Sequence, residues 1–444
     1  MNLQRLAAAM GADRAPSLEI RDLAYDTRRV GPGDLFFCIP GASADGHDLA
    51  AVAVSGGAVA LVVERPVDVP APQVQVASVR EAMPRAAVEL FGDPSADLEV
   101  VAVTGTNGKT TTAFLLESIL TAAGRRPALL TNIVRRVGGE ERPTGLNTPE
   151  SIDLQRLFRE MLDAGDDACV MEATSIASAM GRLAGTRFAV LVFTNLTQDH
   201  LDVHGTMEEY FAAKRALFEQ AERAVVNVGD EWGARLAREL PGAITFTPDD
   251  DLGGIGLRLR GTFNRANALG AVAAARALGV DDGAIRRGVE ALEGVPGRFE
   301  PVDAGQPFAV IVDYAHTPDS LANVLRAARG LGDGRLIAVF GAGGDRDREK
   351  RPLMGRVGEE LADRVIVTTD NPRTEDPAAI AEQVADGALE IVLDRREAIE
   401  RAIAEARAGD VVVIAGKGAD TEMEIAGGSV PFDDRVVARE VLER

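Results

Sequence analysis

One run constrains the fold of this chain more than any other: Val101-Ala102-Val103-Thr104-Gly105-Thr106-Asn107-Gly108-Lys109-Thr110-Thr111-Thr112. An apolar strand ends in a Gly-rich turn, and a Lys-Thr pair opens a helix. Small residues let consecutive backbone N–H groups converge on a phosphate. The helix N-terminus adds partial positive charge, Lys109 a full one, and Thr110 a hydroxyl suited to Mg²⁺. The run therefore reads as a P-loop that handles ATP. Its spacing, Gly105-x-x-Gly108-Lys109-Thr110, departs from a strict Walker A because Val103 occupies the first Gly slot. The bland alternative is a turn that contains Gly-Lys-Thr by chance, and the strand–turn–helix context argues against it.

A chain of 444 residues exceeds one ordinary core and suits about three domains. Low aromatic content (4%) makes the cores depend on Ala, Val, Leu and Ile. A net charge of −21 opposes a general nucleic-acid or acidic-membrane binder, and an anionic substrate would need local positive charge. The two cysteines, Cys38 and Cys169, sit inside apolar runs and read as packing residues rather than a disulfide or metal site. No charged-then-apolar leader and no bilayer-length apolar stretch is present, so a cytoplasmic chain without membrane insertion is expected.

Residues 1–95 read as a small α/β unit, with strand-like runs at 34–39 and 58–63 and a linker at Gly92-Asp93-Pro94-Ser95. Residues 96–297 alternate strands (100–103, 168–171, 190–194, 224–227) with helical patterns, which implies a parallel sheet. Gly294-Val295-Pro296-Gly297 marks the next boundary. In residues 298–444 the alternation restarts, with strands at 309–313, 336–340, 365–368 and 411–415. Each runs into a polar motif, and open parallel sheets bind ligands at the carboxyl ends of strands.

Glu172 follows one such strand and suits a Mg²⁺ ligand or, equally, the cap of the next helix. His200 and His204, two of only four histidines, lie in Phe193–Asp202 and the turn beyond it, where Asp and His density suggests a metal or phosphate role. Lys214, on an amphipathic helix, reads by itself as a solvated face residue. Asp313 and His316 could hydrogen-bond a ribose, base or phosphate, although Thr317-Pro318 also reads as a plain helix start. Arg346 after a glycine run and Arg373 in Asp370-Asn371-Pro372-Arg373 suit anion and carboxylate capture. Gly416-Lys417-Gly418-Ala419-Asp420 is a third strand-end motif. Any one of these three could be a solvated turn, but three in one region favour a pocket.

Together these runs resemble the Mur ligase family, which builds the peptide of bacterial cell-wall precursors, and within it the tripeptide-forming branch. The resemblance spans essentially the whole chain. It rests on Asp26-Thr27-Arg28, the P-loop, Thr194-Asn195-Leu196 with Asp199-His200-Leu201-Asp202, Lys214, Gly261-Thr262-Phe263-Asn264 with Asn267, Gly297-Arg298-Phe299-Glu300, Asp313-Tyr314-Ala315-His316, Gly343-Gly344-Asp345-Arg346-Asp347 and Asp370-Asn371-Pro372-Arg373. It implies an α/β fold of three domains: a UDP-substrate domain, a central P-loop ATPase domain and a C-terminal Rossmann-like domain. The implied reaction is ATP-dependent amide ligation through an acyl phosphate, adding a diamino acid, meso-diaminopimelate, to UDP-N-acetylmuramoyl-L-alanyl-D-glutamate.

By position, the resemblance gives Gly105, Thr106, Asn107, Gly108, Lys109, Thr110, Thr111, Asn267, Arg298, Asp313 and His316 to ATP. Two Mg²⁺ ions fall to Thr110, Glu172, His200 and Lys214, the last as a CO₂-derived carbamate, which turns a cation into an oxygen ligand. Lys109, Glu172, His200 and Lys214 form the implied catalytic set. Tyr25, Thr27, Asn147, Thr148, Thr174 and Arg182 match the UDP-substrate positions. Arg346, Asp370, Asn371, Pro372, Arg373, Gly416 and Asp420 match the amino-acid pocket, where the Arg grips a distal carboxylate. A monomer is expected.

Three departures stand out. Thr174-Ser175-Ile176 replaces the usual Ser-Ser-His, Met180 replaces a polar substrate contact, and Ala419-Asp420 replaces His-Glu. These leave open a paralogue joining another amine or acceptor. A binding protein without turnover is opposed by the joint presence of Lys109, Glu172, His200 and Lys214.

Overall fold

The computed structural model describes residues 1–41 and 44–444. Its contacts divide the chain into two compact units. One comprises Met1–Thr104, Gly124–Val192 and Ala213–Ala224; the other Gly105–Ala123, Phe193–Ala212 and Val225–Arg444.

The first unit holds a four-stranded sheet in the order Leu23–Ala24, Asp34–Phe37, Ala58–Val63, Gln73–Gln75, all neighbours parallel. The two longer strands, Asp34–Phe37 and Ala58–Val63, are mostly apolar because both their faces are covered, whereas the edge strand Gln73–Gln75 buries only Val74. Leu35, Phe37, Ala60 and Val62 pack with the helix Val79–Phe91 on one face. Phe36, Cys38, Leu61 and Val63 form the core of the other face. Of an eight-stranded sheet, this unit carries the run Val190–Phe193, Glu99–Thr104, Ala168–Glu172, Pro127–Leu130, Arg135–Val137, Glu140–Arg142. Glu99–Thr104 and Ala168–Glu172 pair in parallel, with Val103 opposite Glu172. Cys38 and Cys169 are both buried, as the sequence suggested, and burial pushes the Cys38 thiol up to about 12.

In the second unit, Val225–Asn227 pairs in parallel with Ile244–Phe246. This unit also contains a six-stranded sheet in the order Glu300–Pro301, Ala309–Asp313, Val411–Ala415, Leu336–Phe340, Arg364–Val367, Glu390–Ile391. Alternate residues of each strand serve opposite faces. Leu336, Ala338 and Phe340 meet the helices Pro318–Arg329, Lys350–Leu361 and Pro377–Ala385. Ile337 and Val339 meet Arg395–Glu405 and Asp434–Leu442. The alternation implied a parallel sheet, which holds for all pairs but the antiparallel edge strand Glu300–Pro301; the helices on both faces make it doubly wound.

Helix starts divide by purpose. Thr317 caps Pro318–Arg329 with a full capping box and Pro at the first position. Lys109–Ala122 begins at Gly108 with no side-chain cap, the arrangement in which a helix N-terminus serves an anion. Among the described residues no helix is long and apolar enough to cross a membrane.

Candidate functional site

The turn after Glu99–Thr104 is shaped by what its glycines lack. Gly105 and Gly108 have φ of 144° and 86°. A Cβ on Gly105 would lie 1.9 Å from Thr194 Oγ1, and one on Gly108 2.2 Å from Asn267 Oδ1. The segment Thr194–Thr197 is zipped onto this turn. Thr106 N–H donates to Asn195 O (2.9 Å), Asn107 N–H to Asn195 Oδ1 (2.9 Å), and Thr194 Oγ1 to Asn107 O (2.7 Å). Thr197 N–H donates to Thr106 Oγ1 (3.0 Å). Lys109 Nζ curls back to Thr106 O (2.7 Å) and Gly105 O (3.1 Å). Thr110 and Thr111 are buried on the first helical turn, and Arg298 Nη2 donates to Thr110 Oγ1 (2.9 Å). The Arg298 guanidinium lies 4.3 Å from the centre of the Tyr314 ring. A turn packed too closely against Thr194 and Asn267 to admit a Cβ, leading into a lysine and an uncapped helix start, fits the phosphates of a nucleoside triphosphate.

Asp199 is the electrostatic hub beside this turn. It is buried, 3.4 Å from His200 Nε2, 3.9 Å from His316 Nε2 and 3.7 Å from Lys350 Nζ. Burial alone would raise its pKa, but His200, His316, Lys350 and Lys109 together hold the carboxyl below the usual range. Burial, then Lys350, pushes His316 down. Asp313 uses both carboxylate oxygens on backbone N–H groups, of Phe299 (2.6 Å) and Ala315 (2.7 Å), so it braces the two loops in which Arg298 and His316 sit.

In the first unit, Glu172 is buried at the end of its strand, where Oε1 accepts from Asn132 N–H (3.4 Å). It does not cap the next helix; Thr174 does, accepting from Ala177 N–H. Lys214 is only 1% exposed, which corrects its reading as a solvated face residue. Ser178 Oγ donates to Ala213 O (2.5 Å), fixing the segment that carries it. Among the described residues no three His, Cys, Asp or Glu side chains group as a metal site. The carboxylate oxygens of Glu172 are of the hard type that suits Mg²⁺, a cation that takes few protein ligands and shares the rest with phosphates and water.

Thr148, Thr174 and Arg182 gather around Glu150. Thr148 Oγ1 lies 3.2 Å from Thr174 Oγ1, Arg182 Nη1 donates to Thr148 O (3.4 Å), and Arg182 Nε is 2.8 Å from Glu150 Oε1. Asn147 precedes them in an exposed loop. Tyr25 belongs to another neighbourhood, where its hydroxyl donates to Asp153 and burial pushes its pKa up. Thr27 opens a short 3₁₀ turn capped by Asp26.

The remaining group forms at the carboxyl ends of Arg364–Val367 and Val411–Ala415. Asp370, Asn371 and Pro372 are buried, and Arg373 Nη1 donates to Gly344 O (2.8 Å). Arg346 is exposed nearby, its Nη1 donating to Asp345 O. A Cβ on Gly416 would lie 2.1 Å from Asp370 Oδ2, an oxygen with no hydrogen-bond partner among the described residues. Burial, opposed by Lys417 and reinforced by Asp370, pushes Asp420 up to about 6.

Sequence reasoning passed over several residues that organise these sites. Asn195 and Asp199 lie inside the motif at 193–202, where nothing in the local sequence marks their role. Lys350 and the fully buried Arg395–Asp434 pair carried no local signal. Arg395 ties Thr369 O (3.1 Å) and Ala415 O (3.0 Å) together while Asp434 neutralises it (2.6 Å).

Comparison with known proteins identifies the family. The chain matches the Mur ligase family catalytic domain over residues 19–102, the Mur ligase middle domain over 103–251 and the Mur ligase glutamate ligase domain over 297–418. It is 45% identical to a UDP-N-acetylmuramoyl-L-alanyl-D-glutamate--2,6-diaminopimelate ligase of Solibacter usitatus, covering 100% of this chain and 98% of the relative. It is 42% identical to a protein of the same name from Aquifex aeolicus, over 95% and 94%. A solved structure bearing that name is 30% identical with a TM-score of 0.66, over 100% and 99% of the two chains. MurF ligase from Thermotoga maritima in complex with ADP, at 20% identity and a TM-score of 0.62 over 97% and 98%, shares the fold. With Mur ligase domains matched along most of its length and relatives of this identity over nearly all of it, the chain belongs to the Mur ligase family of ATP-dependent ligases.

Proposed function

We propose that this ligase joins an amine of meso-diaminopimelate to a carboxylate of UDP-N-acetylmuramoyl-L-alanyl-D-glutamate, cleaving ATP to ADP and orthophosphate. One observation carries the choice of amine: the turn Asp370-Asn371-Pro372-Arg373, buried through Pro372, presents the half-buried guanidinium of Arg373 beyond the carboxyl end of its strand. A guanidinium fork suits a second carboxylate, which diaminopimelate has and lysine lacks. The names of the relatives support the same amine.

In this reading the substrate carboxylate attacks the γ-phosphorus as ADP leaves. The amine then attacks the acyl carbon, orthophosphate departs and the amine loses a proton. The Gly105–Thr111 amides and Lys109 hold the phosphates against charge repulsion, and Arg298 and His316 stand beside them. Asn267 and Asp313 keep that wall in place. Thr110, Glu172, His200 and a carbamate on Lys214 would hold two Mg²⁺ ions. The ions would supply charge neutralisation at the transferring phosphoryl group. Burial of Lys214 supports the carbamate, since an amine that adds CO₂ and loses a proton becomes an anionic oxygen donor.

Thr148, Thr174 and Arg182, with Tyr25, Thr27 and Asn147, would receive the UDP-muramoyl substrate. Arg346, Asp370, Asn371, Gly416 and Asp420 would complete the amine pocket around Pro372 and Arg373. Modules at 1–95, 96–297 and 298–444, a monomeric state and a cytoplasmic location complete the proposal. Orthophosphate release with a panel of amines tests it. Release with diaminopimelate and not with L-lysine is expected; release with L-lysine alone would refute the choice of amine.

A further inference from the structure

The hairpin formed by Glu422–Ile425 and Gly428–Pro431 is exposed along almost all of its length. One of its residues, Glu424, is nevertheless fastened to the amine pocket at three points. Its N–H donates to Asn371 Oδ1 (2.9 Å), and its carbonyl accepts from Arg373 N–H (3.1 Å). Its carboxylate Oε2 lies 2.5 Å from Arg373 Nε. Lys417 Nζ donates to the same Asn371 Oδ1 (3.0 Å) and to Glu422 O (2.6 Å), so the loop leading into the hairpin is pinned as well. Arg373 adopts φ of 54°, a left-handed conformation that a non-glycine residue keeps only when its surroundings hold it there.

The guanidinium is thereby oriented. Nε faces Glu424 and Nη1 faces Gly344 O, while neither Arg373 Nη2 nor Glu424 Oε1 has a hydrogen-bond partner among the described residues. A cation and an anion held side by side, each with an open donor or acceptor, complement an amino-acid head group, whose carboxylate and ammonium also sit side by side. A ligand carrying only the carboxylate would meet the like charge of Glu424. A ligand carrying only the ammonium would leave the guanidinium without a ligand partner.

We propose that Glu424 is a specificity-determining residue that, together with Arg373, reads the distal ammonium and distal carboxylate of the incoming amine as one unit. The inference rests on the diaminopimelate reading above and adds a residue to it. Asp420, one methylene shorter than the usual Glu, makes a second carboxylate at this end of the pocket more consequential.

Steady-state kinetics of the full chain and of Glu424→Gln and Glu424→Asp, with three amines, test the proposal. The amines are meso-diaminopimelate, 2-aminopimelate (which keeps the distal carboxylate and lacks the distal amine) and L-lysine. For Glu424→Gln the KM for diaminopimelate rises at least about tenfold, the loss expected for one charge-assisted contact. The KM for 2-aminopimelate falls, and that for ATP stays within about twofold. Glu424→Asp restores part of the preference for diaminopimelate. A purely structural role would weaken both amines alike and leave their ratio unchanged. If the unaltered enzyme prefers diaminopimelate and Glu424→Gln keeps the same ratio, Glu424 has no part in specificity. If the unaltered enzyme turns over none of the three amines, the underlying choice of substrate fails and this inference with it.

Discussion

The turn at 105–111 and the pocket at 370–373 and 416–424 both lie at the ends of strands, yet they are built from different materials. The turn is made of backbone. Its shape depends on absent Cβ atoms at Gly105 and Gly108 and on amides bound to Asn195, and its one full charge, Lys109, folds back over its own loop. The pocket is made of side-chain charge. Asp370, Arg373, Lys417, Asp420 and Glu424 oppose one another there, and the buried Arg395–Asp434 pair holds the two strand ends together from behind. Under the proposed function every ligand of the turn carries the same phosphates, so a rigid backbone suffices, whereas the second site would tell amines apart, and discrimination depends on the placement of individual charges.

The largest effect belongs to neither region: Lys214→Ala abolishes orthophosphate release with every amine while the circular dichroism of the fold is retained. Near-normal rates would remove the carbamate from the reading. Next, Gly105→Ala places a methyl against Thr194 Oγ1 in a conformation that L-residues rarely adopt. The KM for ATP rises by about a hundredfold or more, while the thermal midpoint drops by only the few degrees that about 1–2 kcal/mol implies. A change confined to the amine KM would break the division drawn above. Arg373→Ala has the reverse signature: the amine KM rises roughly tenfold to a hundredfold, for a lost charge-assisted fork of about 1.5–3 kcal/mol, with the ATP KM unmoved. Equal loss in both constants would show that the two regions do not act independently.

The smallest effect is a pH dependence. Burial pushes the Asp420 carboxyl up to about 6, so it is ionised above that pH and neutral below it. A neutral acid loses its attraction for an ammonium. The amine KM therefore climbs several-fold as pH falls through about 6, and Asp420→Asn, with a higher KM throughout, loses the inflection. An inflection that persists in that variant would assign the titration to another group.

Much of this was legible in the chain itself. The strands at 58–63, 224–227, 309–313, 336–340 and 411–415 were read to the residue, because buried parallel strands are unbroken apolar runs. Short, polar or edge strands such as Arg135–Val137, Glu140–Arg142 and Glu422–Ile425 were not, since they bury too little to leave a periodic signal. Lys214 was misjudged from its local pattern for a related reason. The burial of one side chain on an amphipathic helix depends on what packs over it, and that lies elsewhere in the chain.

From the sequence alone came the glycine spacing of the phosphate turn, the alternation that implies a parallel sheet with crossover helices, and the residue types at each strand end. These are local, because strand, turn and helix are determined by neighbours a few residues away. The tertiary structure decided which charges face one another: Asp199 with His200, His316 and Lys350, Arg395 with Asp434, Arg373 with Glu424. Coulomb interactions and desolvation depend on distance in space rather than along the chain, so only the folded molecule fixes those partners.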